Sequence, residues 1–301
     1  MKLDSLLTER VNPASRGIDA LPTAEILRVI NKEDRKVVPA VAAVTPRVVE
    51  AVDRIVEIMR NGGRLFYIGA GTSGRLGVLD AAECPPTFHV PPDLFQGIIA
   101  GGEAALARAT EASEDDPEAG KADLTARGFS SKDALVGIAA SGRTPYVLGA
   151  VRAARELGAL TIGISCTPES ELSSAVDIAI TPLAGPEVIA GSTRMKAGTA
   201  TKLVLNMLST AVMIRLGYVY GNLMVNVQPR NSKLEDRARR IIAESAEVSY
   251  EKAAGLLKNA GGDVKTAIVM SRLSLDRAGA EARLLASGGS ITRALREMSN
   301  G

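Results

Sequence analysis

The sequence predicts an α/β fold with a doubly wound parallel sheet, N-terminal helices and a small C-terminal helical module. Short, mainly apolar runs alternate with helical segments between residues 64 and 181. Parallel strands that are covered by helices on both faces have this pattern. The helical module is predicted because no strand-like run follows Asn231, where only helical patterns continue.

The N-terminal part and the sheet region supply the first set of predicted elements. A short helix is predicted to begin near Leu3 and a second to cover residues 23–31; a third begins where Thr45 suits the N-cap and Pro46 the first helical position. The predicted strands are 64–68, 87–90, 97–100, 134–139, 160–165 and 178–181. The helices predicted between them are 73–82, which ends ahead of Pro85 and Pro86, 104–109 and 145–157.

The last third of the chain is predicted to be helical. A long, mostly buried helix is expected over residues 192–216, and a highly charged helical stretch over 233–258. Three short helices are then predicted, 263–272 and 276–286 with aspartate caps and 290–298 with a serine cap. We therefore expect two domains, a sheet domain with its helical extension over residues 1–232 and a three-helix, UBA-like module over residues 233–301.

The composition excludes several classes of function. Thirty-six basic and 34 acidic residues leave a net charge of 36 − 34 = +2, so we expect neither nucleic acid nor a membrane surface as a partner. The single histidine and two cysteines argue against a metal site and a disulfide framework. Cys84 and Cys166 are expected to be small buried residues. The first residues lack a signal-peptide pattern, and a cytoplasmic protein is expected.

The first candidate loop is the glycine-rich stretch 69–74, GAGTSG, between a predicted strand and a predicted helix. Its G-x-G-x-x-G spacing fits a dinucleotide site only in part, because Asp93 lies beyond the tip of the next predicted strand. It also fits a cradle for a phosphate or sugar, in which Gly71 lets the backbone approach and Thr72 and Ser73 donate hydroxyl groups. A tight turn without a ligand is the third interpretation of this loop.

A second loop with similar chemistry follows another predicted strand. Ser141, Gly142 and Thr144 lie in this loop, where Thr144 is placed to cap the next helix and Pro145 to begin it. Two hydroxyl-rich loops at the carboxyl edge of one sheet favour a ligand that carries a phosphate. A nicotinamide enzyme requires only the first loop.

The acidic and basic candidates leave more alternatives open. Glu83 is predicted at the end of the helix that follows the first loop, which is unfavourable for the helix dipole and weakly favours a function. Glu114 lies in an acidic run, and from the residues alone a solvated turn is the better interpretation. His89 is expected to be an ordinary packed or surface residue. Arg194 and Lys196 suit surface ion pairs and an approach to an anion about equally.

Several blocks of the sequence together resemble the N-acetylmuramic acid 6-phosphate etherases. The blocks are 8–13 (TERVNP), 69–77 (GAGTSGRLG), 80–88 (DAAECPPTF), 97–102 (GIIAGG), 141–144 (SGRT) and 191–199 (GSTRMKAGT). The resemblance runs in family order over nearly the whole chain, and the helical tail is similar to the family's C-terminal module. It implies a sugar isomerase (SIS) domain at the core.

The resemblance also implies an activity, without a metal or a cofactor. The family's reaction is cleavage of the C3 lactyl ether of N-acetylmuramic acid 6-phosphate, which gives N-acetylglucosamine 6-phosphate and D-lactate. The family's catalytic residues fall on Glu83, as proton donor to lactate, and on Glu114, as the group that takes the C2 proton or activates water. The proposed ligands of the phosphate and sugar are Gly71, Thr72, Ser73, Ser141, Gly142 and Thr144. Many SIS domains begin the second loop with a further serine, where this chain has Ala139.

Two alternatives on the same fold remain open, together with the oligomeric state. A sugar-phosphate-binding regulatory protein would keep the hydroxyl loops but need neither glutamate. An aldose–ketose isomerase would share the phosphate grip and the removal of the C2 proton. SIS domains often complete their site with a partner chain, so we expect a homodimer with the long helix 192–216 or its neighbours in the interface.

Overall fold

The structure is a computed structural model that describes residues 7–108, 114–227 and 231–296. Its contacts divide the chain into two compact units. The first comprises Met1–Ala82 and Pro92–Ser209, and the second comprises Glu83–Pro91 and Thr210–Gly301. Each unit therefore combines segments that are far apart in sequence. The two predicted domains, residues 1–232 and 233–301, follow the sequence pattern instead and stay a prediction.

The first unit is built on a five-stranded parallel sheet with the strand order β2-β1-β3-β4-β5. The strands are β1 Leu65–Gly69, β2 Phe95–Ile99, β3 Ala134–Ile138, β4 Leu160–Ile164 and β5 Ile178–Ile180. Every pairing is parallel, and each strand lies within two residues of a predicted one. The predicted α/β class with a doubly wound parallel sheet is confirmed.

The strands are apolar because helices bury both of their faces. All five residues of β1, β3 and β4 are buried. On one face, Phe66 packs among buried residues of the neighbouring helices, and its ring meets Phe129 edge-on with ring centroids 5.1 Å apart. Burial of this kind stabilises a fold by about 25 cal/mol for each Å² of apolar surface.

The helices that begin or lie within the first unit follow the sheet in chain order. They are α1 Thr23–Asp34, α2 Val37–Ala43, α3 Thr45–Arg60, α4 Gly71–Phe88, α5 Ala104–Ala107, α6 Pro117–Ala126, α7 Pro145–Glu156, α8 Glu171–Ala175 and α9 Lys196–Arg215. Val44 is the N-cap of α3, so Thr45 lies one position inside the helix and the predicted cap is wrong. The helix predicted near Leu3 falls mostly outside the described residues.

One predicted strand is wrong. Residues 87–90 were expected to be extended, but α4 continues through Pro85 and Pro86 to Phe88. A proline removes only its own N–H donor, and its carbonyl still accepts. The His89 N–H accordingly donates to the Pro85 carbonyl at 2.9 Å, and His89 ends the helix with a φ of 52°.

The second unit contains the remaining helices and a small antiparallel hairpin. The hairpin strands are β6 Val219–Tyr220 and β7 Leu223–Met224, and the helices are α10 Ser232–Ala246, α11 Tyr250–Asn259, α12 Val264–Leu273, α13 Arg277–Ala286 and α14 Ile291–Arg296. Asp263 and Asp276 cap α12 and α13 as predicted, by accepting from Thr266 N–H at 2.6 Å and Gly279 N–H at 2.8 Å. The single charged helix predicted over 233–258 is two helices, because Glu247 adopts a left-handed conformation between them.

One helix, α9, is long and apolar enough to cross a membrane by length and composition. Fifty-six per cent of its apolar window is buried within the protein. A core helix passes the same test, and this burial accounts for the apolar character of α9. Its predicted start at residue 192 is four residues too early.

Candidate active site

The two candidate loops leave the sheet side by side. β1 and β3 are parallel neighbours with Gly69 opposite Ile138, so the loops that follow them begin next to each other. From β1 the chain continues to β2 on one side of the sheet, and from β3 it continues to β4 on the other side. Doubly wound sheets bind their ligands outside the carboxyl ends of the strands at such a switch point.

The first loop turns directly from β1 into α4. Gly69 and Gly74 touch, because a Cβ on Gly74 would lie 2.6 Å from the Gly69 carbonyl oxygen. Gly71 begins α4 with a φ of 52°, which disfavours any residue with a side chain. The first turn of a helix leaves N–H groups without intrahelical acceptors, and Thr72 and Ser73 lie in this turn, partly exposed. The loop therefore offers amides and hydroxyls to an anion.

The second loop is tightened by its own polar groups. Ser141 Oγ accepts from the Arg143 N–H at 3.3 Å, and a Cβ on Gly142 would lie 2.3 Å from Ser170 Oγ. Thr144 occupies the N-cap position of α7 and Pro145 begins that helix, as predicted. The capping hydrogen bond expected from the Thr144 side chain is absent in this part of the structure, so that expectation is wrong.

Glu114 explains why Thr144 does not cap. The Tyr146 N–H, which an N-cap side chain would normally accept from, donates instead to the Glu114 carbonyl oxygen at 3.1 Å. The Glu114 side chain reaches the other loop, because its Oε1 lies 3.1 Å from the position of a Cβ on Gly71. Glu114 thus joins the starts of α7 and α4 through its backbone and its carboxylate. The simple solvated turn that the residues alone favoured is wrong.

Glu83 lies in the second unit on α4, where its side chain is exposed. It was expected at the end of its helix, but α4 runs five residues further, to Phe88. The argument from an unfavourable helix dipole therefore fails for Glu83. Its role stays a prediction that depends on the resemblance.

A buried ion pair lies at the start of α9. Lys196 Nζ is 2.7 Å from Glu33 Oε2, and both side chains are 1% exposed. Burial raises the pKa of Glu33, but hydrogen bonds from Lys196, Lys36 and Asn12 outweigh it and lower that pKa to about 2. The pairing of Lys196 with an acid was one of the open alternatives, but the pair is buried rather than on the surface. Arg194, close before it, is exposed.

The same region brings the N-terminus of α9 to the first loop. Glu187 accepts from the backbone N–H groups of Lys196 at 3.0 Å and Ala197 at 2.9 Å, which fixes where the helix begins. Two residues later, a Cβ on Gly198 would lie 3.5 Å from Thr72 Cγ2. The segment 191–199 is therefore a neighbour of the candidate site.

Sequence reasoning missed the residues that hold this segment in place. Glu33, Glu187 and Asn12 drew no attention, although Asn12 Nδ2 donates to Glu33 Oε2 at 2.8 Å and to the Pro186 carbonyl at 3.0 Å. The available signal was the pair of resemblance blocks at 8–13 and 191–199. The Gly191 N–H donates to the Thr8 carbonyl at 3.0 Å and so joins the two blocks directly.

Metal and thiol chemistry receive no support from the described residues. Among residues 7–108, 114–227 and 231–296, no three His, Cys, Asp or Glu side chains cluster in a way that could hold a metal ion. Cys84 and Cys166 are both buried, as predicted. Burial raises the pKa of Cys166 to about 12, which keeps it a thiol rather than a thiolate nucleophile.

Comparison with known proteins identifies the class and then the family. Residues 117–211 match the model of the SIS domain, and residues 47–155 match that of the glucokinase regulatory protein N-terminal SIS domain. The parallel sheet with its two loops is thus a SIS domain, as the resemblance implied.

Relatives over nearly the full length define the family more closely. An N-acetylmuramic acid 6-phosphate etherase of Photorhabdus laumondii is 55% identical over 90% of each chain. Etherases of the same name from Glaesserella parasuis and Caldanaerobacter subterraneus are 55% and 51% identical, and the alignments cover 96–98% of each chain. The chain belongs to the N-acetylmuramic acid 6-phosphate etherase family, which by its name is a family of carbon–oxygen lyases.

Proposed function

We propose that this protein is a lyase that cleaves the lactyl ether of N-acetylmuramic acid 6-phosphate. The products are N-acetylglucosamine 6-phosphate and D-lactate. Membership of the etherase family supports this proposal, as do the two hydroxyl-bearing loops at the switch point of the sheet. We place the reaction in the cytoplasm, in the recycling of cell-wall amino sugars.

The reaction needs two groups that handle protons and a grip on the phosphate. Ring opening exposes the C1 aldehyde, which acidifies the proton on C2. A base removes that proton, the C3–O bond breaks, and an acid protonates the departing lactate oxygen. Water then adds to C3 of the unsaturated aldehyde, and C2 regains a proton. The electrons balance without a metal or a redox cofactor.

The placement of Glu114 is the observation that carries the proposal. Its carboxylate lies at the first residue of α4, and its carbonyl is bound to the start of α7, so a ligand held by both loops lies within its reach. The N-terminus of a helix stabilises a negative charge, which suits a carboxylate that takes the C2 proton or activates water. Glu83 is then the proton donor to lactate.

The phosphate is proposed to bind to hydroxyls and amides rather than to a cluster of cations. Thr72, Ser73, Ser141 and Thr144 supply hydroxyls, and Gly71 and Gly142 let the backbone approach. Helix N-termini bind phosphate in this way in many folds. Because Ala139 replaces the serine common in SIS domains, the second loop depends more on its amides.

We also propose a homodimer in which the partner chain contributes to each site. Glu83 lies twelve residues beyond Gly71 on α4, and twelve residues of α-helix span about 18 Å. That length exceeds the reach of a single amino-sugar phosphate held at the start of α4. A second copy of the chain is therefore the proposed source of the Glu83 that serves each pair of loops.

The first experiment measures D-lactate released from N-acetylmuramic acid 6-phosphate by the purified protein. We expect release by the wild type, and loss of most of it in Glu114→Gln and Glu83→Ala. Asp115→Asn is the matched control, because Asp115 is the exposed neighbour of Glu114 and should keep the activity. A wild type that releases no more lactate than Glu83→Ala would refute the proposal.

Isotope labels test the course of the reaction. In ¹⁸O-labelled D₂O, elimination followed by hydration places solvent oxygen on C3 and solvent deuterium on C2 of the amino sugar. Retention of the original ether oxygen on the sugar would exclude this course.

The same assays distinguish the two alternatives. Thermal stabilisation by the sugar phosphate without turnover would favour a regulatory protein. Interconversion of an aldose and a ketose phosphate would favour an isomerase.

A further inference from the structure

The second unit contains a cavity of about 610 Å³ that the proposed reaction does not use. Its volume lies in the range that small-molecule sites occupy. The end of α4, the segment around the β6–β7 hairpin and the turns before α12 and α14 line it. The lining residues with polar side chains are His89, Tyr218, Asn226, Asp263 and Lys265.

Lys265 is the cation of this cavity. Its Nζ donates to the carbonyl oxygens of Gly217 at 3.2 Å and Gly289 at 3.0 Å, and it lies 5.0 Å from the centre of the Tyr218 ring. An ammonium group has three donors, so one donor remains after these two hydrogen bonds. Carbonyls and a ring fix the position of the ammonium group but do not neutralise its charge.

The surroundings leave that charge uncompensated. Among the described residues, no carboxylate forms an ion pair with Lys265. Asp263 is the nearest acid in the cavity wall, and its Oδ1 accepts from the Thr266 N–H. Burial lowers the pKa of Lys265, and Asp263 offsets this only in part. Partly buried cations are stable when an anion pairs with them.

The other polar groups do not supply a negative charge. Asn226 Nδ2 donates to the Phe88 carbonyl at 2.9 Å, which fixes the segment after β7 to the end of α4. His89 is exposed at the wall of the cavity. The paired glycines 261–262 and 288–289 add backbone without side chains, so the wall leaves room around Lys265.

We propose that this cavity is a second ligand site, which takes a small organic anion whose carboxylate or phosphate pairs with Lys265. The site is separate from the hydroxyl loops. It lies against His89, which immediately follows α4, the helix that carries Glu83. The site therefore has the position of an effector site. It does not depend on the proposed reaction, and its test requires no turnover.

The test uses a probe that the sequence provides. His89 is the single histidine of the chain, so one imidazole Cε1–H resonance in the NMR spectrum reports on this cavity alone. The full-length protein is titrated at constant pH with D-lactate, with inorganic phosphate and with N-acetylglucosamine 6-phosphate. Sodium chloride at the same ionic strength is the control, because it screens charges without filling the site.

We expect a saturable shift of the His89 resonance with at least one of the three anions and none with chloride. The response to lactate against that to the two phosphates distinguishes a carboxylate ligand from a phosphate ligand. No saturable shift with any of the three, or an equal shift with chloride, would overturn the proposal.

Two variants assign the effect to Lys265. Lys265→Met should abolish the shift, whereas Lys252→Met, at an exposed lysine of the same unit, should keep it. A Lys265→Met protein that is folded and still gives the wild-type titration also overturns the proposal. If this variant does not fold, the ¹³Cε resonance of Lys265 in the wild type, assigned with Lys265→Arg, must move with the same saturation curve as His89; an unmoved resonance refutes the site.

Discussion

At the scale of single residues, the contact between Gly71 and Glu114 has a measurable consequence. A Cβ at Gly71 would lie 3.1 Å from Glu114 Oε1, on a residue whose φ is 52°. Gly71→Ala is therefore expected to cost about 1–2 kcal/mol of stability for the left-handed backbone and to displace the Glu114 carboxylate. We expect the rate of lactate release to fall at least tenfold.

Gly102→Ala is the matched control for that prediction. Gly102 has a φ of 68°, and a Cβ there meets nothing within 4 Å. The variant should lose similar stability in urea unfolding and keep its activity. Equal losses of activity in the two variants would mean that general destabilisation, not Glu114, accounts for the effect.

The buried pair of Lys196 and Glu33 gives a second prediction at the residue scale. Lys196→Met leaves a buried carboxylate without its buried partner and should lower the free energy of unfolding by about 3 kcal/mol. Lys36 bonds the same carboxylate from an exposed position, so Lys36→Met should cost below about 1 kcal/mol. Chemical denaturation of both variants measures the difference, and similar losses would contradict the distinction.

Glu33 also predicts a pH dependence. Its pKa is about 2 in the folded protein against an ordinary value of 4.5, so the folded state favours the charged carboxylate. Its contribution to stability is complete above the ordinary pKa and is lost as the pH falls towards the folded pKa. Unfolding midpoints over this acid range should therefore decline less steeply in Glu33→Gln than in the wild type. Parallel declines would contradict this assignment.

At the scale of elements, the close contact of α6 with α7 positions Glu114, which lies three residues before α6. A Cβ on Gly120 would lie 1.9 Å from the Tyr146 carbonyl oxygen, so Gly120→Ala must separate the two helices. We expect a stability loss of about 1–3 kcal/mol together with slower lactate release.

Gly255 in α11 supplies the opposite case for comparison. A Cβ there meets nothing within 4 Å, so Gly255→Ala should stabilise the protein by up to about 1 kcal/mol and leave catalysis unchanged. Thermal unfolding and the lactate assay measure both variants. Stabilisation by Gly120→Ala would contradict the close packing of α6 and α7.

The sequence predicted the elements whose signals are local. Buried strands, aspartate caps and the start of α7 at Pro145 all depend on residues within a few positions of each other. The helix through Pro85 and Pro86 was missed, because two prolines signal a break while the Pro85 carbonyl still accepts a hydrogen bond. The site was predicted through its loops and the family resemblance. Contacts such as Glu33 with Lys196, 163 residues apart, leave no local pattern.

At the scale of the whole molecule, the proposed shared site predicts complementation between two inactive variants. Glu83→Ala and Glu114→Gln are each expected to be inactive as homodimers. After partial unfolding and reassociation of a mixture, heterodimers contain one site with both glutamates intact. D-lactate release should therefore return in the mixture. A mixture that forms heterodimers, detected with differently tagged chains, and stays inactive would contradict the shared site.

The discontinuous second unit has a consequence for biosynthesis. Phe88 leaves the ribosome 138 residues before Asn226, whose side chain binds its carbonyl oxygen. The stretch Glu83–Pro91 is therefore translated long before the rest of its unit. Chains arrested after β5 should contain the parallel sheet while the end of α4 still waits for its partners. For this protein, the proposed proton donor acquires its final surroundings only in the last stage of translation.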